Sequence, residues 1–136
     1  MSALSKILVI DDDRDFAAAV QTLLESSGYE VIRAASGREG LALISSADPD
    51  VVICDIMMES STEGYAVSSA VKFRELSGAS ELPFIMVSSI DASPDELFPR
   101  SEELGMIRPD FYLTKPLDVP RFLEVVKKAA ARRVHA

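Results

Sequence analysis

The sequence has one cysteine, Cys54, one histidine, His135, and no tryptophan in 136 residues. A lone cysteine forms no intrachain disulfide and no multi-cysteine metal site, so stability has to come from the core, and the usage fits a reducing compartment. No apolar run approaches the roughly 20 residues that span a bilayer as a helix. Residues 1–5 are too short for a secretory signal, so a cytoplasmic location without membrane contact is expected. Basic residues are in deficit as well. Fourteen Lys and Arg stand against 22 Asp and Glu, a formal charge of −8, which is the wrong sign for neutralising a phosphate backbone. Direct nucleic-acid binding is therefore not expected.

What is present is core material. Apolar residues make up 48% and charged residues 26%, the balance of a globular chain, and the length supports one domain over residues 1–136 with its core at about 5–131. Compact apolar runs occur at Ile7 to Ile10, Val31-Ile32, Val51 to Cys54, Phe84 to Val87 and Phe111 to Leu113. They predict five strands. The first, third and fourth are continuously apolar, as strands covered on both faces must be.

Helical spacing fills the gaps. Phe16, Val20, Leu23 and Leu24 form one stripe before a stop at Gly28, and Val119, Phe122, Leu123, Val126 and Ala130 form the last. Segments 36–47 and 64–76 occupy the second and third gaps. In the fourth, Ser93-Pro94-Asp95-Glu96 is a capping box, yet Pro99 follows within two turns, so a broken helix is expected. Strands alternating with helices imply right-handed βαβ units and a doubly wound α/β domain with a parallel sheet.

In such sheets ligands bind outside the carboxyl ends of the strands, where strand order reverses. Strand one runs into Asp11-Asp12-Asp13, strand three into Asp55, strand four into Ser88-Ser89 and strand five into Thr114-Lys115-Pro116. Carboxylates packed together repel unless a cation holds them. Oxygen donors with no His or Cys beside them suit Mg²⁺. Such a site suits a phosphoryl group, with the metal and Lys115 neutralising its oxygens, Ser88 donating a hydrogen bond to one, and a carboxylate acting as nucleophile. Asp13 is open to a second role as the cap of the first helix. Cys54 reads as a small core residue.

These residues resemble the receiver domain of two-component response regulators. Ile-Leu-Val-Ile-Asp11-Asp12-Asp13 is similar to the family's acidic segment, Val-Val-Ile-Cys-Asp55-Ile-Met57-Met to its phosphoacceptor strand, Ile-Met-Val-Ser88 to its switch hydroxyl, and Tyr112-Leu-Thr-Lys115-Pro116 to its lysine-proline signature. The resemblance implies a flavodoxin-like (βα)5 fold with strand order 2-1-3-4-5. It implies that Asp55 accepts a phosphoryl group from a sensor histidine kinase or phosphotransfer protein. Asp12 would ligate Mg²⁺ directly, Asp11 mostly through water, and Met57 through its backbone carbonyl. Lys115 would balance the phosphoryl charge, Ser88 would close on it, and Tyr112 would change rotamer to switch a surface read by a downstream protein target or by a second copy in a phosphorylation-linked dimer. No external substrate is turned over, so the chain is not expected to be an enzyme beyond self-phosphotransfer and slow dephosphorylation. No output domain is visible. His135, in a short Arg-Arg-Val-His-Ala tail, is a poor candidate for a phosphoryl donor.

Two rivals carry different chemistry. A haloacid-dehalogenase-like phosphohydrolase would use Asp11 as nucleophile, but needs a further acidic pair on a strand after the lysine, where this chain has only Asp118 and Glu124. A receiver-like module that acts without phosphorylation would need none of Asp11, Asp12, Asp55 and Lys115. The chain departs from the family pattern at Glu59, where proline is usual, at Gly64, one position late, and in the long stretch from Ser88 to Lys115 that holds Pro99 and Pro109.

Met57 and Ile90, each two residues beyond the acceptor or the switch hydroxyl, are both apolar. Hydrolysis of an acyl phosphate needs a water in line behind phosphorus, and these side chains offer nothing to orient one. The phosphorylated state is therefore expected to be long-lived. Decay of phosphate after donor removal should be faster in Met57→Asn/Ile90→Glu than in the wild type; equal or slower decay in that variant would refute control of water access by these positions.

Overall fold

The computed structural model describes residues 5–55, 82–88, 111–114 and 117–132. In chain order the elements are β1 (Lys6–Ile10), α1 (Arg14–Ser26), β2 (Glu30–Ala34), α2 (Gly37–Ala47), β3 (Val51–Asp55), β4 (Phe84–Ser88), β5 (Phe111–Thr114) and α3 (Val119–Arg132). The expected helix at 64–76, the broken helix after Ser93, Glu59, Ile90, Pro99, Pro109 and His135 lie outside the described residues.

The strands form one sheet in the order β2-β1-β3-β4-β5, and every neighbouring pair is parallel. Order reverses between β1 and β3, because the chain steps one way from β1 to β2 and the other way on to β3. A right-handed crossover in each direction requires α1 and α2 to lie on opposite faces. The core divides accordingly. Ile7, Val9, Val51, Ile53, Ile85, Val87 and Leu113 pack on one face with Ala17, Val20 and Leu24 of α1 and Phe122, Val125, Val126 and Ala129 of α3. Leu8, Ile10, Val52, Cys54, Phe84 and Met86 pack on the other with Ala34 and Ile44. β3 is buried along its whole length, which is why its sequence shows no polar alternation. Cys54 is buried in the second cluster, as its position in an apolar run implied.

The last helix corrects one detail of the expected stripe. Its buried line is Phe122, Val125, Val126 and Ala129, while Val119 is 40% exposed. Val119 opens the helix immediately after its cap, Asp118, whose carbonyl and carboxylate accept from the Phe122 and Arg121 N–H groups at 2.8 and 3.4 Å. The stripe therefore starts one turn later and follows i, i+3, i+4, i+7 from Phe122.

The start of the sheet is tied across β1 and β3. The Lys6 N–H donates to Asp50 Oδ2 at 2.7 Å, the Asp50 N–H donates to the Lys6 carbonyl at 2.7 Å, and Lys6 Nζ reaches the carbonyl of Ala47 at the end of α2 at 3.1 Å. The cation thereby satisfies one of that helix's open carbonyls. At the end of α1 the Tyr29 N–H donates to the Leu24 carbonyl and the Gly28 N–H to the Glu25 carbonyl, with Gly28 at φ +94°. This is a Schellman stop, and the left-handed backbone explains the glycine. A Cβ at 28 meets nothing within 4 Å, so Gly28→Ala should lose about 1 kcal/mol from backbone conformation alone. Urea unfolding measures it, and an unchanged midpoint would contradict the role given to Gly28.

Candidate functional site

The site is built where β1 and β3 end. The register sets Ile10 level with Cys54 and Asp55 level with Val87, so Asp11, the first residue past β1, emerges beside Asp55. Both aspartates are almost fully buried, Asp11 at 3% and Asp55 at 4% exposure, and they are the only polar side chains among the described residues so enclosed. Asp12 is exposed beside them. Each of the three offers one carboxylate oxygen, and these oxygens lie within 4.8 Å of one another.

Local turns fix the first two. The Asp11 N–H donates to the Ala34 carbonyl of β2 at 3.0 Å, which carries the sheet pairing one residue beyond β1. The Asp13 N–H then donates to Asp11 Oδ1 at 2.8 Å, closing an Asx turn that orients the Asp11 carboxylate. Asp13 caps α1: its Oδ1 accepts from the Asp15 and Phe16 N–H groups, each at 3.1 Å. Of the run Asp11-Asp12-Asp13, the first two face the site and the third is spent on the helix.

Chemically, carboxylate oxygens this close, two of them taken from water, are held together at a cost unless positive charge joins them. Hard oxygen donors with no His or Cys in the group form a donor set for a hard divalent cation. The acidic cluster could therefore hold a metal ion.

Ser88 ends β4 and pairs with Thr114 one position past the Asp55–Val87 level, so the backbone brings strands four and five to the same edge. Met57 and Lys115, and the side chains of Ser88 and Tyr112, lie outside the described residues. The two acidic residues after Lys115 serve helix α3. Asp118 caps it, and Glu124 pairs with Lys128 one turn on at 3.0 Å. The Lys128 hydrogen bond and its charge hold the exposed Glu124 carboxyl below its usual value.

One feature beside the site was not anticipated from the sequence. A surface cavity of about 120 Å³ adjoins Asp11 and is lined also by Arg14, Arg33, Ala34, Ala35 and Glu39. Its far wall is the first turn of α2, where the Ser36 Oγ accepts from the Glu39 N–H at 3.2 Å and the Glu39 carboxylate accepts from the Ala35 N–H at 3.3 Å. The Ser36-x-x-Glu39 spacing is a capping-box signature in the sequence.

Residues 7–127 match the response regulator receiver domain family. The probable transcriptional regulator ycf27 of Porphyridium aerugineum is 36% identical over 129 residues, covering 95% of this chain and 49% of the relative. Protein PilG of Pseudomonas aeruginosa is 34% identical over 122 residues, covering 90% of this chain and 84% of PilG. The chain spans about half the length of the ycf27 proteins it matches. The solved chemotaxis response regulator CheY4 of Vibrio cholerae superposes with a TM-score of 0.75 at 27% identity, covering 93% of this chain and 99% of that one.

Proposed function

The chain belongs to the response regulator receiver domain family, and from that premise we propose that it is the phosphoacceptor of a two-component system, with Asp55 as the residue modified. The observation that supports this most is the convergence of Asp11, Asp12 and Asp55 at the carboxyl edge of a parallel sheet, at the point where strand order reverses. The fold is taken to be the complete flavodoxin-like (βα)5 arrangement.

In the proposed step an Asp55 carboxylate oxygen attacks the phosphorus of a phosphohistidine on a sensor kinase or phosphotransfer protein. An O–P bond forms, the N–P bond breaks, and its electron pair stays on the imidazole nitrogen, which takes up a proton. Asp11, Asp12 and Asp55, with the Met57 carbonyl, are the groups that would hold Mg²⁺. When bound, that ion supplies positive charge against the carboxylates and the phosphoryl oxygens. Burial of Asp55 leaves it one edge from which to be approached and limits competing water. Lys115 is assigned to charge balance, Ser88 to closing on the phosphoryl group, and Tyr112 to carrying the change to a surface read by a downstream protein or a second copy. Self-phosphotransfer and slow loss of phosphate would be the only chemistry, in the cytoplasm and without direct nucleic-acid contact by this domain. Among the described residues no helix is long and apolar enough to cross a membrane.

The phosphohydrolase alternative is disfavoured because Asp118 and Glu124 belong to helix α3, where one caps and the other pairs with Lys128. A module acting without phosphorylation would have no use for two buried carboxylates beside an exposed third.

Incubation with acetyl phosphate and Mg²⁺ should add one phosphoryl group to the intact protein by mass spectrometry, with the modification mapped to Asp55. Asp55→Asn and excess chelator should each abolish it. Equal phosphorylation of Asp55→Asn would overturn the assignment of the acceptor.

A further inference from the structure

We propose that the cavity between the starts of α1 and α2 is an oxyanion subsite, in which Arg14 and Arg33 receive the anionic group of an incoming phosphodonor beside Asp11. The donor's identity rests on the reading of Asp55 as phosphoacceptor; the subsite itself does not.

The cavity opens at the same edge of the sheet as the acidic cluster. Asp11 follows β1 and Ala35 follows β2, and Asp11 offers an oxygen within 4.8 Å of those offered by Asp12 and Asp55. A group held in the cavity therefore borders the cluster itself. The volume of about 120 Å³ is far above the ~10–15 Å³ that admits one water and below the roughly 300–1,000 Å³ of pockets for drug-sized ligands. A phosphate-sized ion is the right scale, and a nucleotide is not.

Charge decides the kind of ion. Two arginines and two carboxylates, Asp11 and Glu39, line the cavity, and the plain structural arrangement would be salt bridges across it. Among the described residues neither arginine forms an ion pair. Instead Asp11 Oδ1 accepts from the Asp13 N–H at 2.8 Å and the Glu39 carboxylate from the Ala35 N–H at 3.3 Å, so both acids are directed to backbone. Arg33 is exposed and donates from Nη1 to the neutral Gln21 Oε1 at 3.2 Å, which steadies the guanidinium from α1 and leaves its other donors unused among the described residues. Arg14, the first residue of α1, is exposed, and among the described residues no hydrogen bond occupies its side chain. A guanidinium grips phosphate or carboxylate with paired N–H groups. Two of them with unused donors around one small cavity make a receptor for an oxyanion.

The surroundings explain why such a receptor is useful. Asp12, Asp13, Asp15 and Asp55 crowd the same edge, and the chain carries −8 overall, a field that repels an anionic donor. Arg14 and Arg33 set local positive charge against it. A divalent cation on the cluster would remove negative charge on the Asp11 side, so cation and oxyanion should bind with positive and reciprocal coupling.

The test titrates inorganic phosphate into wild type, Arg14→Gln, Arg33→Gln and Arg38→Gln in Mg²⁺, following backbone amide shifts by NMR. The same proteins are phosphorylated over a range of acetyl phosphate concentrations. Arg38 is exposed on α2 and does not line the cavity, so it controls for charge at large. Phosphate should shift the Ala34 and Ala35 amides. Its affinity should fall about tenfold in Arg14→Gln and in Arg33→Gln, stay unchanged in Arg38→Gln, and fall about fivefold or more in wild type without Mg²⁺. The half-saturating acetyl phosphate concentration should rise by a similar factor in the two cavity variants. Shifts confined to Cys54 and Asp55, equal affinity in all four proteins, or an equal loss in Arg38→Gln would overturn the subsite. Equal affinity with and without Mg²⁺ would overturn the coupling. Weaker phosphate binding with an unchanged acetyl phosphate dependence would assign the cavity to free phosphate and overturn its role toward the donor. If the wild type takes no phosphoryl group from acetyl phosphate, the acceptor reading falls, and the phosphate titration still decides the subsite.

Discussion

Mutual repulsion among three carboxylates is the constraint around which the rest of the molecule is arranged. Two unit charges about 4 Å apart repel by about 1 kcal/mol in water and about 4 kcal/mol at an effective dielectric of about 20, and Asp11 and Asp55 are almost excluded from water. A domain of ordinary stability, roughly 5–15 kcal/mol in all, carries such a cluster only if the scaffold is strong elsewhere. Receipt of a cation and a phosphoryl group, as proposed above, would account for that expense.

The scaffold meets the constraint through its sheet. β1, β3 and β4 are buried on both faces, and each fully buried Ile, Val, Leu, Phe or Met adds roughly 1.5–3 kcal/mol. Their parallel register places Asp11 and Asp55 on neighbouring strand ends without help from a long loop. Small polar devices then fix the details: the Asx turn from Asp11 to Asp13, the cap on α1, and the pairing of Asp11 with β2. The reverse end of the sheet, tied by Lys6 and Asp50, holds no comparable acidic cluster among the described residues.

Much of this was legible in the residues. Continuous apolar runs marked the buried strands, helical spacing and Gly28 marked α1, and aspartates at two strand ends marked the site, because all three signals are local and periodic. Val119 misled because an apolar side chain at a helix start matches the period before the helix has reached the core. Asp13 stayed open between two roles because capping and ligation call for the same carboxylate, and only the hydrogen bonds from Asp15 and Phe16 decide. The close approach of α2 to β1, where a Cβ at Gly40 would press on the Ile10 side chain, was not legible at all, because no pattern along the chain carries a distance between elements.

The central claim, that Asp11, Asp12 and Asp55 form one cation site, is tested most directly by thermal unfolding of wild type and Asp12→Asn with and without Mg²⁺. Asp12 is exposed, so the substitution leaves the core unchanged. Without the ion, removing one charge should relieve repulsion and make Asp12→Asn the more stable. Saturating Mg²⁺ should reverse that order, since a ligand at about 100 times its Kd stabilises the folded state by about 2.7 kcal/mol and the variant has lost the negative charge of one ligand. Unfolding of the wild type at the same temperature with and without Mg²⁺ would contradict the account.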